Sequence, residues 1–164
     1  MMKKKAKTAQ AAPLAERVFA LLLGSWAIER EIRPKGRFRG SATFSRVDAR
    51  TLAYAEEGDL VLDEGGEMRG ERRQTYILHE NRIEIRFADG LNAGEHFVDI
   101  NFPADPSANW PICSGDTHLC LLDTYKATFC FETEDEFSIT YEVCGPAKDY
   151  VSSSVYRRLK ALNS

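Results

Sequence analysis

The run "GDTHLCLLDTY", residues 115 to 125, places a His, a Cys, an Asp and a Tyr within eight positions, and all four can do chemistry. His118 belongs to the residue type that titrates near neutrality and most often ligates metals. Cys120 at i+2 would be a thiolate nucleophile with His118 as its base. Parallel side chains at that spacing sit on Cα atoms roughly 6–7 Å apart on a strand. No third group that would orient the imidazole is visible nearby, so the catalytic constellation is incomplete. The plainer reading, a buried inert thiol, is the one we carry forward. Zinc has equally thin support. The chain has three histidines, His79, His96 and His118, and neither a CxxC nor an HxxxH spacing. No metal is therefore expected.

Geometry constrains the same stretch. Side chains alternate along a strand, so His118, Cys120 and Leu122 share one face and Asp123 takes the other. For the polar residues to form one cluster, a turn must break the strand near Leu122-Asp123, with "DTYKATFCFE" running back as the next strand. Asp123 then has a structural option as well, holding turn amides as Asp commonly does.

The elements that must position these groups are mostly strands. "SWAIEREIR" sets Trp26, Ile28, Arg30 and Ile32 against Ala27, Glu29 and Glu31. "RIEIRF" and "EFSITYEV" alternate in the same way, the pattern of a sheet with one wet face. Turn signals separate the runs: Pro34-Lys35-Gly36, Glu57-Gly58-Asp59, Gly65-Gly66, Glu80-Asn81, Asp89-Gly90, Glu134-Asp135 and Gly145-Pro146. About ten strands result, by the usual spacing of all-β chains. Ahead of them Pro13 suits a first helical turn, and Leu14, Val18, Leu21 and Leu22 form one helical stripe that Gly24 ends. The fold class expected is therefore all-β: an up-and-down antiparallel barrel of about ten strands, with one short N-terminal helix capping an end. A two-sheet sandwich is the alternative; full closure is favoured because it removes exposed edges.

Length and composition agree. The 164 residues make one domain, expected over 13–164 after a disordered leader at 1–12. A net charge of −3, with 22 basic against 25 acidic residues, gives no footprint for nucleic acid. The apolar run Val18 to Ile28 is too short to span a membrane, and "EREIR" follows it where a signal peptide would have a small-residue cleavage site. A cytoplasmic protein with four free cysteines is the expectation. The acidic pairs Glu29/Glu31, Glu56/Glu57 and Glu132/Glu134 are assigned to the solvated face. Arg30 is the exception to tidy partitioning. It shares the inward face of Trp26, and a buried guanidinium must be paired, for instance by Asp99, or bind an anion.

Two sets of words carry a resemblance. "LLGSW", with Gly24 and Trp26, resembles the G-x-W signature of the calycin superfamily, which holds lipocalins, fatty-acid-binding proteins and, more loosely, nitrobindin-like barrels. That resemblance implies a late arginine across the Trp, here Arg158 of "VYRRL", closing the barrel bottom. "FADG" followed by His96, then "HLC" with Asp123 and Tyr125, then "GPAKDY" together resemble an uncharacterised bacterial and fungal domain family with a lipocalin-like barrel. This implies a fold without an established activity.

The combined expectation is a barrel that holds a small, largely apolar ligand with a polar or anionic end. His118, Tyr125, His96, Cys120, Asp123 and Arg30 are its candidate contacts, and Gly24, Trp26 and Arg158 its closure. No catalytic residue and no cofactor are assigned. The competing classes are an enzyme using His118, Asp123 and Tyr125 as acid–base groups, and a haem- or metal-binding barrel.

Overall fold

The computed structural model describes residues 12–120 and 122–160. The expected leader falls almost wholly outside the described residues, as does the side chain of Cys120. Helix α1 (Leu14–Leu22) comes first, followed by ten strands in chain order. These are β1 (Gly24–Arg33), β2 (Gly36–Asp48), β3 (Thr51–Leu62), β4 (Glu67–Leu78) and β5 (Arg82–Phe87). The second half comprises β6 (His96–Asn101), β7 (Ile112–Cys120), β8 (Asp123–Thr133), β9 (Glu136–Cys144) and β10 (Asp149–Arg158). All pair antiparallel in one sheet, ordered β6-β5-β4-β3-β2-β1-β10-β9-β8-β7. The expected up-and-down barrel is the observed one. Among the described residues no helix is long and apolar enough to cross a membrane.

Closure differs from expectation. β6 and β7 lie side by side without a main-chain ladder between them. Side chains of β7 bridge the gap: Asp99 N–H donates to Asp116 Oδ2 at 2.7 Å and Asn101 N–H to Ser114 Oγ at 2.9 Å. Two edge amides of β6, those of Asp99 and Asn101, are thereby given partners.

Trp26, Ile28, Phe44, Tyr54, Tyr76, Ile85, Phe129, Phe137 and Tyr156 fill the interior from alternating positions. Helix α1 buries Leu14, Val18 and Leu22 against one end of it. That end is locked by Trp26 and Arg158. Trp26 Nε1 donates to Leu22 O at 2.9 Å, and the Arg158 guanidinium lies 4.3 Å from the indole centroid. Arg158 also donates to Leu21 O at 2.5 Å and Glu134 O at 3.0 Å. One side chain thus ties the helix, the β8–β9 turn and the indole together, adding a cation–π contact of about 1–2 kcal/mol where desolvated.

Three sequence expectations are corrected. Glu57-Gly58-Asp59 is the middle of β3 rather than a turn. Gly58 pairs with Gly40 of β2 and Gly70 of β4, so three glycines cross the sheet in a row. A Cβ on Gly58 would come within 2.7 Å of both Gly40 Cα and the Phe38 ring. The residue therefore marks close approach of neighbouring strands, which only glycine permits here. Glu56 is buried, not solvated: it faces inward in register with Tyr54. Cys113 and Cys130 stand directly opposite across β7 and β8 and form a disulfide, whereas Cys144 is free. Only the pairing register, absent from the sequence, makes them neighbours.

Candidate functional site

At the middle of the barrel lies a polar network inside an apolar wall. Arg30 of β1 donates from Nη1 and Nη2 to the two oxygens of Glu56, at 2.9 Å each. Its Nε donates to Ser154 Oγ at 2.6 Å, and Nη2 also reaches Tyr156 Oη at 3.2 Å. Asp99, the partner anticipated for Arg30, instead takes Arg82 Nη1 on the outer face. Tyr54 Oη donates to Glu56 as well and lies 2.9 Å from Tyr156 Oη. Burial alone would raise the Glu56 carboxyl, but bonds from Arg30 and the charges of Arg72 and Arg30 outweigh it and hold the group at about 2. Burial pushes the hydroxyls of Tyr54, Tyr76 and Tyr141 up, so all three stay neutral.

A second guanidinium, Arg72 of β4, approaches the same carboxylate. Its Nε lies 3.2 Å from Glu56 Oε1 without hydrogen-bond alignment, and Nη2 donates to Oε2 at a long 3.4 Å. Two guanidiniums against one carboxylate leave one positive charge in the network. The Arg72 side chain is 32 % open, against 9 % for Arg30 and 4 % for Glu56. That open surface faces a cavity of about 160 Å³ lined by Arg30, Ile32, Arg72, Phe97, Tyr125, Tyr141, Tyr150 and Ser152. Tyr141 contributes a buried hydroxyl with no partner. Leaving such a group unmatched costs roughly 1–3 kcal/mol, so a partner is expected from whatever fills the cavity. A larger concavity of about 700 Å³ is lined by residues of β1–β4 and β10, most of them charged side chains of both signs.

Residues 115–125 meet the cavity at its rim, through Tyr125. β7 ends at Cys120 and β8 starts at Asp123, which places the break where the polar cluster requires it. His118 is directly opposite Tyr125, ring centroids 6.3 Å apart, and both pack edge-on to Phe97. Tyr125 lines the cavity; His118 stands beside it. Burial first, and then the neighbouring His96, lower the His118 pKa against a smaller opposing effect of Asp116. Asp123 turns away, 3.7 Å from Lys148 Nζ and packed so tightly over Gly145 that a Cβ there would overlap its carboxylate. Lys148 also donates to Tyr125 Oη at 3.2 Å.

His96 sits on the outer face of β6, where its Nδ1 meets Glu84 Oε2 at 2.8 Å. Among the described residues one group has cation-ligand spacing: His96, Asp99 and Asp116 offer atoms within 4.8 Å of one another. Its carboxylates already have partners. Both Asp116 oxygens accept backbone N–H groups, from Asp99 and Thr117, and Asp99 holds Arg82. The group is accounted for by closure of the β6–β7 seam.

Glu56, Arg72, Tyr141 and Tyr150 are the residues sequence reasoning passed over. Arg72 had a legible signal, since "RRQTYIL" alternates Arg72, Gln74, Tyr76 and Leu78 on one face.

Comparisons with solved structures return barrels of the same fold. The S-type phycobiliprotein lyase CPES from Guillardia theta aligns with a TM-score of 0.62 at 11% identity, covering 89% of this chain and 93% of that one. Rv2717c from M. tuberculosis aligns with a TM-score of 0.60 at 13% identity, covering 91% and 99%. EF1p2_mFAP2b bound to DFHBI aligns with a TM-score of 0.50 at 11% identity, covering 88% and 99%. At such identities the likeness is one of fold. Comparison with curated protein sequences found no match. The model of a family of unknown function, DUF6314, matches residues 22–158, from the last residue of α1 to the last of β10, and the chain belongs to that family.

Proposed function

We propose that this barrel holds a small, largely apolar molecule with an anionic end in the cavity beside Arg72. The observation that carries the reading is the unbalanced network: Arg30 and Arg72 share Glu56, and the partly open Arg72 faces the cavity. A surplus guanidinium inside a barrel is an anion site by charge and by geometry, because its planar fork matches a carboxylate. The aromatic wall supplies the apolar contacts, and sparse polar groups on such a wall fix orientation. A barrel of the same fold is bound to the small molecule DFHBI, which accords with an interior able to admit a ligand.

Matched pairs of apolar acids and their alcohols, titrated by calorimetry, test this. The acid of each pair should bind at least tenfold more tightly, about 1.4 kcal/mol. Equal affinity for acid and alcohol would refute an anion site.

A further inference from the structure

We infer that the ligand is a monoanion of single-ring size, an aryl or alicyclic carboxylate, whose oxygens are received by Arg72 and by the Tyr141 hydroxyl. This rests on the anion-binding reading and narrows it in charge, size and contacts.

The donors are selected by elimination. Arg30 is committed: its Nε goes to Ser154, its two terminal nitrogens to Glu56, and one of them also to Tyr156. Arg72 makes one long bond to Glu56, its Nε is unmatched, and its open surface faces the cavity. Tyr141 is 6 % exposed and its hydroxyl, on the same cavity wall, is the other buried unmatched group among the described residues. An acceptor-only ligand group satisfies both, and a carboxylate is acceptor-only with room for a bidentate arginine.

Charge sets the valence. The network carries one surplus positive charge, so a monoanion neutralises it and a dianion would leave a buried negative charge. Size sets the body. A cavity of about 160 Å³ is the scale on which a roughly 150 Å³ engineered cavity accepts benzene. Drug-sized ligands occupy pockets of roughly 300 Å³ and more, so a long acyl chain does not fit. Phe97, Tyr125 and Tyr150 provide ring faces and edges around it, the surroundings that suit an offset or edge-on ring.

The test is calorimetric titration at pH 7 with benzoate, cyclohexanecarboxylate, dodecanoate, phenyl phosphate and benzyl alcohol, on wild type, Arg72→Gln and Tyr141→Phe. Benzoate and cyclohexanecarboxylate should bind with one-to-one stoichiometry, at least tenfold more tightly than the other three. Arg72→Gln leaves Glu56 paired with Arg30, so it should fold and lose at least thirtyfold in benzoate affinity. Tyr141→Phe should lose about tenfold while its thermal midpoint stays the same or rises, because an unmatched buried hydroxyl has gone. Should Arg72→Gln fail to fold, the Tyr141→Phe result decides. Dodecanoate or phenyl phosphate binding as tightly as benzoate overturns the ring-sized monoanion while leaving an anion site standing. Benzyl alcohol matching benzoate, or none of the acids binding, overturns both. Unchanged benzoate affinity in Tyr141→Phe overturns the assigned contacts.

Discussion

Glu56 is the residue on which the interior turns. Its carboxylate accepts from Arg30 and Tyr54 and stands against Arg72, so it is the one counter-charge that two guanidiniums share, the buried Arg30 and the partly open Arg72. Removing one member of such a buried set leaves charge uncompensated, which is worse than never having built the pair. Glu56→Gln should therefore destabilise the fold by about 3 kcal/mol, read by denaturant unfolding. The pH dependence has a definite sign. Folding depresses the Glu56 pKa from 4.5 to about 2, so its contribution is complete above about pH 4.5 and is lost as pH falls towards 2. The stability difference between wild type and Glu56→Gln should shrink across that window. A difference constant from pH 6 to pH 2.5 would show that Glu56 is not held ionised by its neighbours.

At the scale of elements, β2, β3 and β4 place Gly40, Gly58 and Gly70 in line across the sheet. Sheets close through local kinks, and glycine permits the tight crossing that a side chain would block. Phe38 uses the space: its ring covers Gly58 and Gly70 and lies 4.9 Å from the Arg30 guanidinium, so the same ring also covers one side of the polar network. The sites differ in severity. At Gly58 an added methyl meets backbone of β2, which cannot give way, whereas at Gly70 it meets only the Phe38 ring, at 3.3 Å. Gly58→Ala should cost about 2 kcal/mol, as overpacking does, and Gly70→Ala clearly less. Thermal unfolding of the two variants measures this, and the reverse order would contradict the packing described.

Over the whole molecule the weak line is the seam between β6 and β7. Elsewhere neighbouring strands share a ladder; here Ser114 and Asp116 stand in for one. Local opening follows the least hydrogen-bonded boundary. In Ser114→Ala and Asp116→Ala, amide exchange at Asn101 and Asp99 respectively should accelerate about five- to tenfold, the worth of about one hydrogen bond. Amides of the β1–β10 ladder should keep their wild-type rates. Uniform acceleration across the barrel would mean that the seam is no weaker than the rest.

How much of this was legible beforehand depends on whether a property is local. Alternation in "SWAIEREIR" and "EFSITYEV" determined strands and their inward faces, because the two-residue period acts within one segment. The helix, the hairpin at Leu122-Asp123 and the Trp26–Arg158 closure follow from the same kind of local pattern, joined to a family resemblance. The inward position of Arg30 was legible, and that of Arg72 should have been. Other properties are set by which strands become neighbours. That Glu56 meets both arginines depends on β1 and β4 lying close enough to β3 inside the barrel. The Cys113–Cys130 disulfide and the glycine row exist only once pairing register is chosen. Partial closure at β6–β7 and the size of the cavity depend on how ten strands curl together. Alternating faces are written into each segment, whereas which inward groups are spent on one another and which remain open to a ligand follows only from the folded chain, because it depends on distances between segments far apart in sequence.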